Sequence, residues 1–126
     1  MQALRDVKAA EDSYHAHNFE WACFQAQQAA EKAVKALLYG HGRGARRCSV
    51  VELLGYAKEV DQVSEELQTA ARELDRHYIP SRYPNAFDSG YPGMYYDEAV
   101  AKRALESANK IINWVKTQLE KIGLKL

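Results

Sequence analysis

The residues best suited to chemistry are gathered in one stretch, Arg72 to Tyr96, which holds all three prolines and five of the eight tyrosines. A helix entering this stretch should end at or before Ile79, because Pro80 disfavours the α conformation of the preceding residue and lacks a backbone N–H. Polar and aromatic side chains then share one long loop, where binding and catalytic groups are often placed. The alternative is that its tyrosines form a lid packed over the end of a helical bundle.

Within this loop, Arg82 and Tyr83 form the pair that points most clearly to a ligand. An arginine beside a tyrosine in a turn can hold a phosphate and stack on a base, which fits a nucleotide or single-stranded RNA. The alternative is a structural turn, in which Arg82 bonds loop carbonyls or Asp88 and Tyr83 fills the end of the bundle. Both interpretations stay open at this point.

A second basic loop is a weaker candidate for phosphate contact. It lies just before Ser49, where a helix is predicted to begin, and free backbone N–H groups at a helix start favour anions. Runs of charge like this one are usually solvated and without a ligand. Its basic residues are His41, Arg43, Arg46 and Arg47.

The composition predicts one globular domain spanning residues 1–126, with 47% hydrophobic and 27% charged residues. The 17 basic residues balance the 17 acidic ones, so any contact with nucleic acid must be local. Cys23 and Cys48 have neither zinc nor redox spacing, which favours a reducing compartment. Since no apolar run has the length of a membrane span, we expect a cytoplasmic protein, and we expect no metal or cofactor.

Helical periodicity runs through the rest of the chain, and no segment alternates like a strand. Asn18, Ser49 with Glu52, and Asp97 are predicted helix starts, and glycines 40 to 44 and Gly123 are predicted stops. These signals predict an all-α, up-and-down antiparallel bundle of four long helices and one short helix. The predicted helices cover about 2–15, 19–40, 49–59, 61 or 64 to the central loop, and 97–122.

The predicted core is made of apolar stripes, and a few large aromatic residues fall outside them. The core stripes are Leu4, Val7 and Tyr14; Ala22, Ala26, Ala29, Ala33 and Ala36 or Leu37; and the last-helix stripe from Ala101 to Ile122. Trp21, Phe24 and Trp114 fall outside these stripes, and large aromatics on a bundle surface favour a subunit interface. We therefore expect a homodimer.

Two segments carry a resemblance to a known family. The chain resembles the HEPN family (higher eukaryotes and prokaryotes nucleotide-binding) over nearly its whole length. The resemblance implies a helical bundle that commonly dimerises, is often encoded beside a minimal nucleotidyltransferase in a toxin–antitoxin-like pair, and in several branches is a metal-independent endoribonuclease. It also implies that Arg76, Tyr78, Arg82 and Tyr83 contact nucleotide. The matching segments are FQAQQAAEKAVKALL, from Phe24, and LDRHYIPSRYPNA, from Leu74.

The ribonuclease branches carry an arginine followed, after four to six residues, by a histidine, and Arg72 and His77 match that spacing with four between. In that role His77 would move a proton at the attacking 2′-hydroxyl or the leaving oxygen, and Arg72 would hold the scissile phosphate. Residues five apart on a helix point about 140° apart, so the pair needs a helix end or a second subunit to converge. Alternatively, Arg72 and Arg76 pair with Asp75 and Glu73 on a solvated face and His77 caps the helix.

Three functions therefore remain open at the level of the sequence: a module that binds nucleotide or RNA, an endoribonuclease using Arg72 and His77, and a non-catalytic structural partner of a nucleotidyltransferase.

Overall fold

The computed structural model describes residues 2–44, 49–77 and 96–126. Those residues form five helices and no strand, which confirms the predicted all-α class. The short helix is α3, and α4 is also shorter than the other three. The helices are α1 (Gln2–His15), α2 (Phe19–Gly40), α3 (Val50–Ala57), α4 (Glu65–Asp75) and α5 (Glu98–Lys121).

Side-chain caps begin three of these helices as predicted. The Ser49 side chain accepts a hydrogen bond from the backbone N–H of Glu52, and Asp97 accepts one from Val100. Ser64 does the same for Leu67, which sets the start of α4 at the later of its two predicted positions. Such caps satisfy backbone N–H groups that have no partner inside the helix. Asn18 stands at the start of α2, but its side chain makes no capping bond.

Left-handed glycines follow the two longest helices. Gly42, with φ of 75°, follows α2, and Gly123, with φ of 79°, follows α5. After α5, the Leu124 N–H bonds the carbonyl of Leu119, and the Gly123 N–H bonds that of Glu120. This is the pattern of a Schellman motif, and it places the stop at the glycine predicted from the sequence.

The core is built around α2, which contacts each of the other four helices. The predicted alanine stripe is buried from Ala22 to Ala33, and small side chains there let neighbouring helices approach closely. The prediction for α1 was wrong about which residues are fully buried. Ala3 and Ala10 are its buried residues, whereas Leu4, Val7 and Tyr14 are partly buried and pack against the core. Ile122 is also not core, since it is 40% exposed.

Helix direction follows from contacts at the helix ends. Lys32 of α2 forms an ion pair with Asp6 of α1, and Ser13 bonds Gln25, so α1 and α2 run antiparallel. A Cβ placed on Gly40 would lie 3.2 Å from Leu119, so α2 and α5 end at the same side of the bundle. Ion pairs described below show α4 and α5 to be antiparallel. Helices α1 and α4 therefore run opposite to α2 and α5.

The three aromatic residues predicted to lie outside the stripes differ in exposure. Trp21 is 55% exposed and meets Phe24 edge to face at 5.7 Å between ring centroids. Phe24 is partly buried, and Trp114 is partly buried against the core. Among the described residues, no helix is both long and apolar enough to cross a membrane.

Candidate functional site

The candidate site lies on the face of α4 that is turned towards α5. Glu66, Ala70, Glu73 and His77 recur at four- and three-residue intervals, so they share one side of the helix. Glu66 forms an ion pair with Lys110 of α5 at 3.1 Å, and Glu73 forms one with Arg103 at 3.4 Å. The stripe therefore faces α5 along its length.

Glu73 joins two arginines at the end of this stripe. One carboxylate oxygen accepts from Arg76 at 3.0 Å, and the other accepts from Nε of Arg103 at 3.4 Å. Each guanidinium gives Glu73 one nitrogen, and their side chains are 74% and 58% exposed. The group of three residues therefore carries two positive charges against one negative charge, with donors facing solvent.

His77 lies immediately behind this group. The residue is 5% exposed, its ring lies 5.6 Å from that of Tyr96, and Nε2 has no hydrogen-bond partner among the described residues. Burial lowers the pKa of His77 from 6.5, with Arg76 and Arg103 adding to the effect and Glu73 opposing it. The imidazole is therefore held neutral, and a neutral imidazole can accept a proton.

Arg72 does not join His77 within one chain. Its guanidinium donates to Glu65 at 2.7 Å and to Thr69 at 3.1 Å, both towards the start of α4. The alternative interpretation from the sequence was right for Arg76, which pairs with Glu73, but wrong for Arg72, whose carboxylate partner is Glu65. The His77 ring packs in the interior, and only its backbone N–H bonds the end of α4, at the carbonyl of Leu74.

The side chain of Asp75, at the end of α4, lies against the start of α3. Its carboxylate accepts from the backbone N–H groups of Val50 and Val51, at 2.9 and 3.0 Å, and from the Ser49 hydroxyl at 2.7 Å. The buried Gln27 amide donates to it at 3.5 Å. These bonds fasten the end of α4, and with it the Arg76 and His77 positions, to the rest of the bundle. One alternative drawn from the sequence placed Asp75 in a surface ion pair, which it does not form with any of the described residues.

The second basic loop is neutralised in its described part. Arg43 pairs with Glu59. His41 Nε2 lies 3.3 Å from Asp61, although the orientation of the two groups gives no hydrogen bond. The N–H groups of α3 that were expected to attract phosphate are taken by Asp75. This part of the loop is therefore a poorer anion site than the end of α4.

Three predicted nucleotide contacts, Tyr78, Arg82 and Tyr83, lie outside the described residues, as do Arg46, Arg47 and Cys48 of the other loop. No group of three or more potential metal ligands occurs among the residues that are described. Burial raises the pKa of the Cys23 thiol to about 12, so it is a protonated core side chain.

Arg103 was missed because only the apolar stripe and the ends of the last helix were assigned from the sequence. The available signal was its position seven residues before Lys110, which places both residues near one side of that helix. A surface groove of about 910 Å³ beside Trp114 and the connection between α3 and α4 is lined by none of the predicted site residues.

The fold and the site define an all-α bundle in which a basic cluster lies at the end of one helix, over a buried histidine. The HEPN domain family model matches residues 1–118, and the chain belongs to this family. A crystal structure of a protein from Thermus thermophilus is similar, with 40% identity, coverage of 94% of this chain and 93% of that chain, and a TM-score of 0.90.

Two further solved structures are similar over most of their length. An archaeal HEPN homologue is 38% identical, with 93% of this chain and 91% of that chain covered and a TM-score of 0.78. An HEPN domain protein from Thermotoga maritima is 35% identical, with 94% of each chain covered and a TM-score of 0.78. Among curated proteins, no match to this chain was found.

Proposed function

We propose that this HEPN protein binds the phosphate of a nucleotide or an RNA at the end of α4, through Arg76 and Arg103. The observation that carries this proposal is the sharing of Glu73 by two exposed guanidinium groups. A carboxylate that holds two arginines fixes their positions and leaves one positive charge uncompensated within the group. Arginine donors fixed in this way suit the oxygens of a phosphate.

The same site includes the aromatic and basic residues that follow α4 in the sequence. Tyr78, Arg82 and Tyr83 are proposed to extend the contact to bases and to further phosphates, on the strength of the HEPN resemblance. His77 ends the described part of α4 directly before them. The chain therefore leads from the arginine cluster straight into the proposed base-contacting segment.

Binding of a labelled single-stranded RNA, measured by fluorescence anisotropy, tests this proposal. Arg76→Ala and Arg103→Ala should each weaken binding about tenfold, the effect of losing one charge-assisted phosphate contact. Arg5→Ala, an exposed arginine on α1, is the matched control and should bind like the wild type. Equal affinity of all four proteins would rule out the arginine cluster as the binding site.

A second candidate function, RNA cleavage, is favoured by the state of His77. Burial lowers the pKa of the His77 ring, and its buried Nε2 has no hydrogen-bond partner among the described residues, so the ring can serve as a base once the substrate 2′-hydroxyl reaches it. Arg72 points back along α4 to Glu65, so convergence with His77 requires a second subunit. In this proposal a two-fold dimer places the pairs from both chains in one cleft.

Cleavage of an end-labelled RNA with chelator present tests the second candidate. Arg72→Ala and His77→Ala should each abolish cleavage, and the folded state of each variant is checked by circular dichroism. If the wild type binds RNA but does not cleave it, the catalytic roles of Arg72 and His77 are ruled out, whereas the proposed binding function is retained.

The third proposal concerns partners in the cytoplasm. We infer that the chain forms a homodimer and works with a minimal nucleotidyltransferase in a toxin–antitoxin-like pair, as the family resemblance implies. The exposed Trp21 with its edge-to-face neighbour Phe24 supports a protein contact at the start of α2. Light scattering compares the molar mass of Trp21→Ser with that of the wild type in solution. We expect the variant to have the mass of a monomer, and an unchanged mass would show that this surface is not the dimer interface. Co-purification with a nucleotidyltransferase encoded beside the gene tests the partnership.

A further inference from the structure

The groove of about 910 Å³ lies at the end of the bundle away from the arginine cluster. It is formed by the connection from α3 to α4, by the start of α4 at Ser64, and by the last two turns of α5. The chain from Ser64 to His77 separates the groove from the phosphate site by about 20 Å along α4. Whatever binds in this groove therefore binds independently of the proposed phosphate site.

The groove contains a buried amide that the protein leaves without a partner. Trp114, Gln118 and Lys121 recur at four- and three-residue intervals, so they share one face of α5, and all three line the groove. Gln118 is 8% exposed, yet its side chain makes no hydrogen bond with any of the described residues. Buried polar groups are nearly always bonded, because one without a partner costs free energy. A ligand in the groove would supply the missing bonds.

The charged residues of the groove favour an anionic ligand. Its lining holds two lysines, Lys58 and Lys121, and one carboxylate, that of Asp61. Both lysines are exposed and form no ion pair with a described residue, whereas Asp61 lies 3.3 Å from Nε2 of His41. The N-terminus of α4 at Ser64 adds positive potential. The neighbouring acids pair elsewhere: Glu59 with Arg43, Glu65 with Arg72 and Glu66 with Lys110.

The rest of the lining is apolar and can receive a hydrophobic side chain. Trp114 is partly buried against the core and lines the groove. Tryptophan is frequent at the centres of protein interfaces. Val60, Val63 and Leu67 complete the apolar surface. The groove therefore combines an apolar patch with an amide and two cations.

We propose that this groove binds an acidic, extended peptide segment of a partner protein, with an apolar side chain of that segment against Trp114. The amide of Gln118 presents a donor and an acceptor, as a peptide group does, so it can pair with an extended backbone. Carboxylates of the segment would meet Lys58 and Lys121. Peptide is favoured over nucleic acid because no arginine is among the described residues of the lining, and arginine is the residue best suited to phosphate.

Selection from a peptide library displayed on phage, with the whole protein immobilised, tests this proposal. The enriched peptides should combine acidic with large apolar residues. In fluorescence anisotropy, a peptide selected in this way should bind Lys58→Glu/Lys121→Glu about tenfold more weakly than the wild type, because two attractions become repulsions. Lys102→Glu, an exposed lysine of α5 outside the groove, is the matched control and should bind like the wild type.

Gln118→Leu separates a ligand contact from a structural role. Leucine keeps most of the buried volume and removes the amide, so the urea midpoint of this variant should equal or exceed that of the wild type. The selected peptide should nevertheless bind the variant about tenfold more weakly. A large drop in the urea midpoint would show that the amide already serves the fold, which contradicts the proposal.

Three other results would overturn the proposal. If no peptide is enriched, or if the enriched peptides bind the double lysine variant like the wild type, the groove is not a peptide site. A molar mass that differs between that variant and the wild type would make the groove a contact between copies of this chain. A larger loss for single-stranded RNA than for the peptide in the same variant would make it a nucleic-acid surface.

Discussion

Two basic regions of this protein present cations to solvent, and they differ in how far carboxylates neutralise them. After α2, Arg43 pairs with Glu59 and the His41 ring lies beside Asp61, so each described basic side chain has an acidic neighbour of its own. At the end of α4, Arg76 and Arg103 share the single carboxylate of Glu73. Among the described residues of the two regions, only the group at the end of α4 therefore keeps an uncompensated charge.

The comparison extends to the helix that begins beside the first region. The N-terminus of α3 would attract an anion, but Asp75 of α4 already fills that role with three hydrogen bonds. The protein thus uses an internal carboxylate where a phosphate could have bound, and the same residue holds the end of α4. Basic residues that lie close together in the sequence are therefore a weaker sign of anion binding than basic residues that the fold leaves without enough carboxylates to pair with.

The largest expected effect comes from breaking that internal anion contact. Asp75→Ala should lower the free energy of unfolding by about 2–3 kcal/mol, because it removes a helix cap and strands partly buried donors. Urea denaturation measures the loss. Asp12→Ala, which removes an exposed ion pair with Lys8, is the control and should cost less than about 0.5 kcal/mol. If both variants lose the same free energy of unfolding, the hydrogen bonds of Asp75 contribute no more than an exposed ion pair, which would contradict this prediction.

A second prediction compares the histidines of the two regions. Burial lowers the folded-state pKa of His77 below 6.5, so the unfolded chain binds the proton more tightly and stability falls as pH drops through that value. The slope for one proton is at most about 1.4 kcal/mol per pH unit. His77→Gln should remove this part of the acid sensitivity in unfolding measured between pH 7.5 and 5. His41→Gln should retain it, and a shared loss would contradict the assignment to His77.

The smallest prediction concerns two glycines, one within the first region and one in the helix that follows it. Gly55 lies inside α3 and a Cβ there meets nothing within 4 Å, so Gly55→Ala should stabilise the protein by about 0.5–1 kcal/mol. Gly42 has φ of 75°, where a side chain is strained, so Gly42→Ala should destabilise by about 1 kcal/mol. Thermal unfolding of both variants checks the pair, and effects of the same sign would contradict this account.

Much of the fold was predictable because its signals are local. Ser49, Ser64 and Asp97 each bond a backbone N–H three residues ahead, a distance that a sequence motif can specify. The degree of burial was less predictable. Periodicity gave the side of α1 that faces the core, but it could not tell that Ala3 and Ala10 would be fully buried while Leu4 and Val7 are only partly buried. Burial depends on how closely the neighbouring helices approach.

The candidate site was only half predictable for a different reason. Arg76 and His77 lie in a motif of adjacent residues, so they could be named from the sequence. Arg103 is 30 residues from Glu73, and Asp75 is 25 residues from Val50. Contacts at that separation depend on helix register, which no local pattern specifies. The sequence therefore identified the helix end but not the partners that give it its charge.

The salt dependence of RNA binding tests most directly whether the end of α4, and not the loop after α2, binds phosphate. For single strands, each phosphate contact contributes about 0.7 to the slope of log K against log salt concentration. The double variant Arg76→Ala/Arg103→Ala should reduce the wild-type slope by about 1.4. Arg43→Ala should leave it unchanged. The reverse result, a lower slope for Arg43→Ala and the wild-type slope for the double variant, would contradict the account.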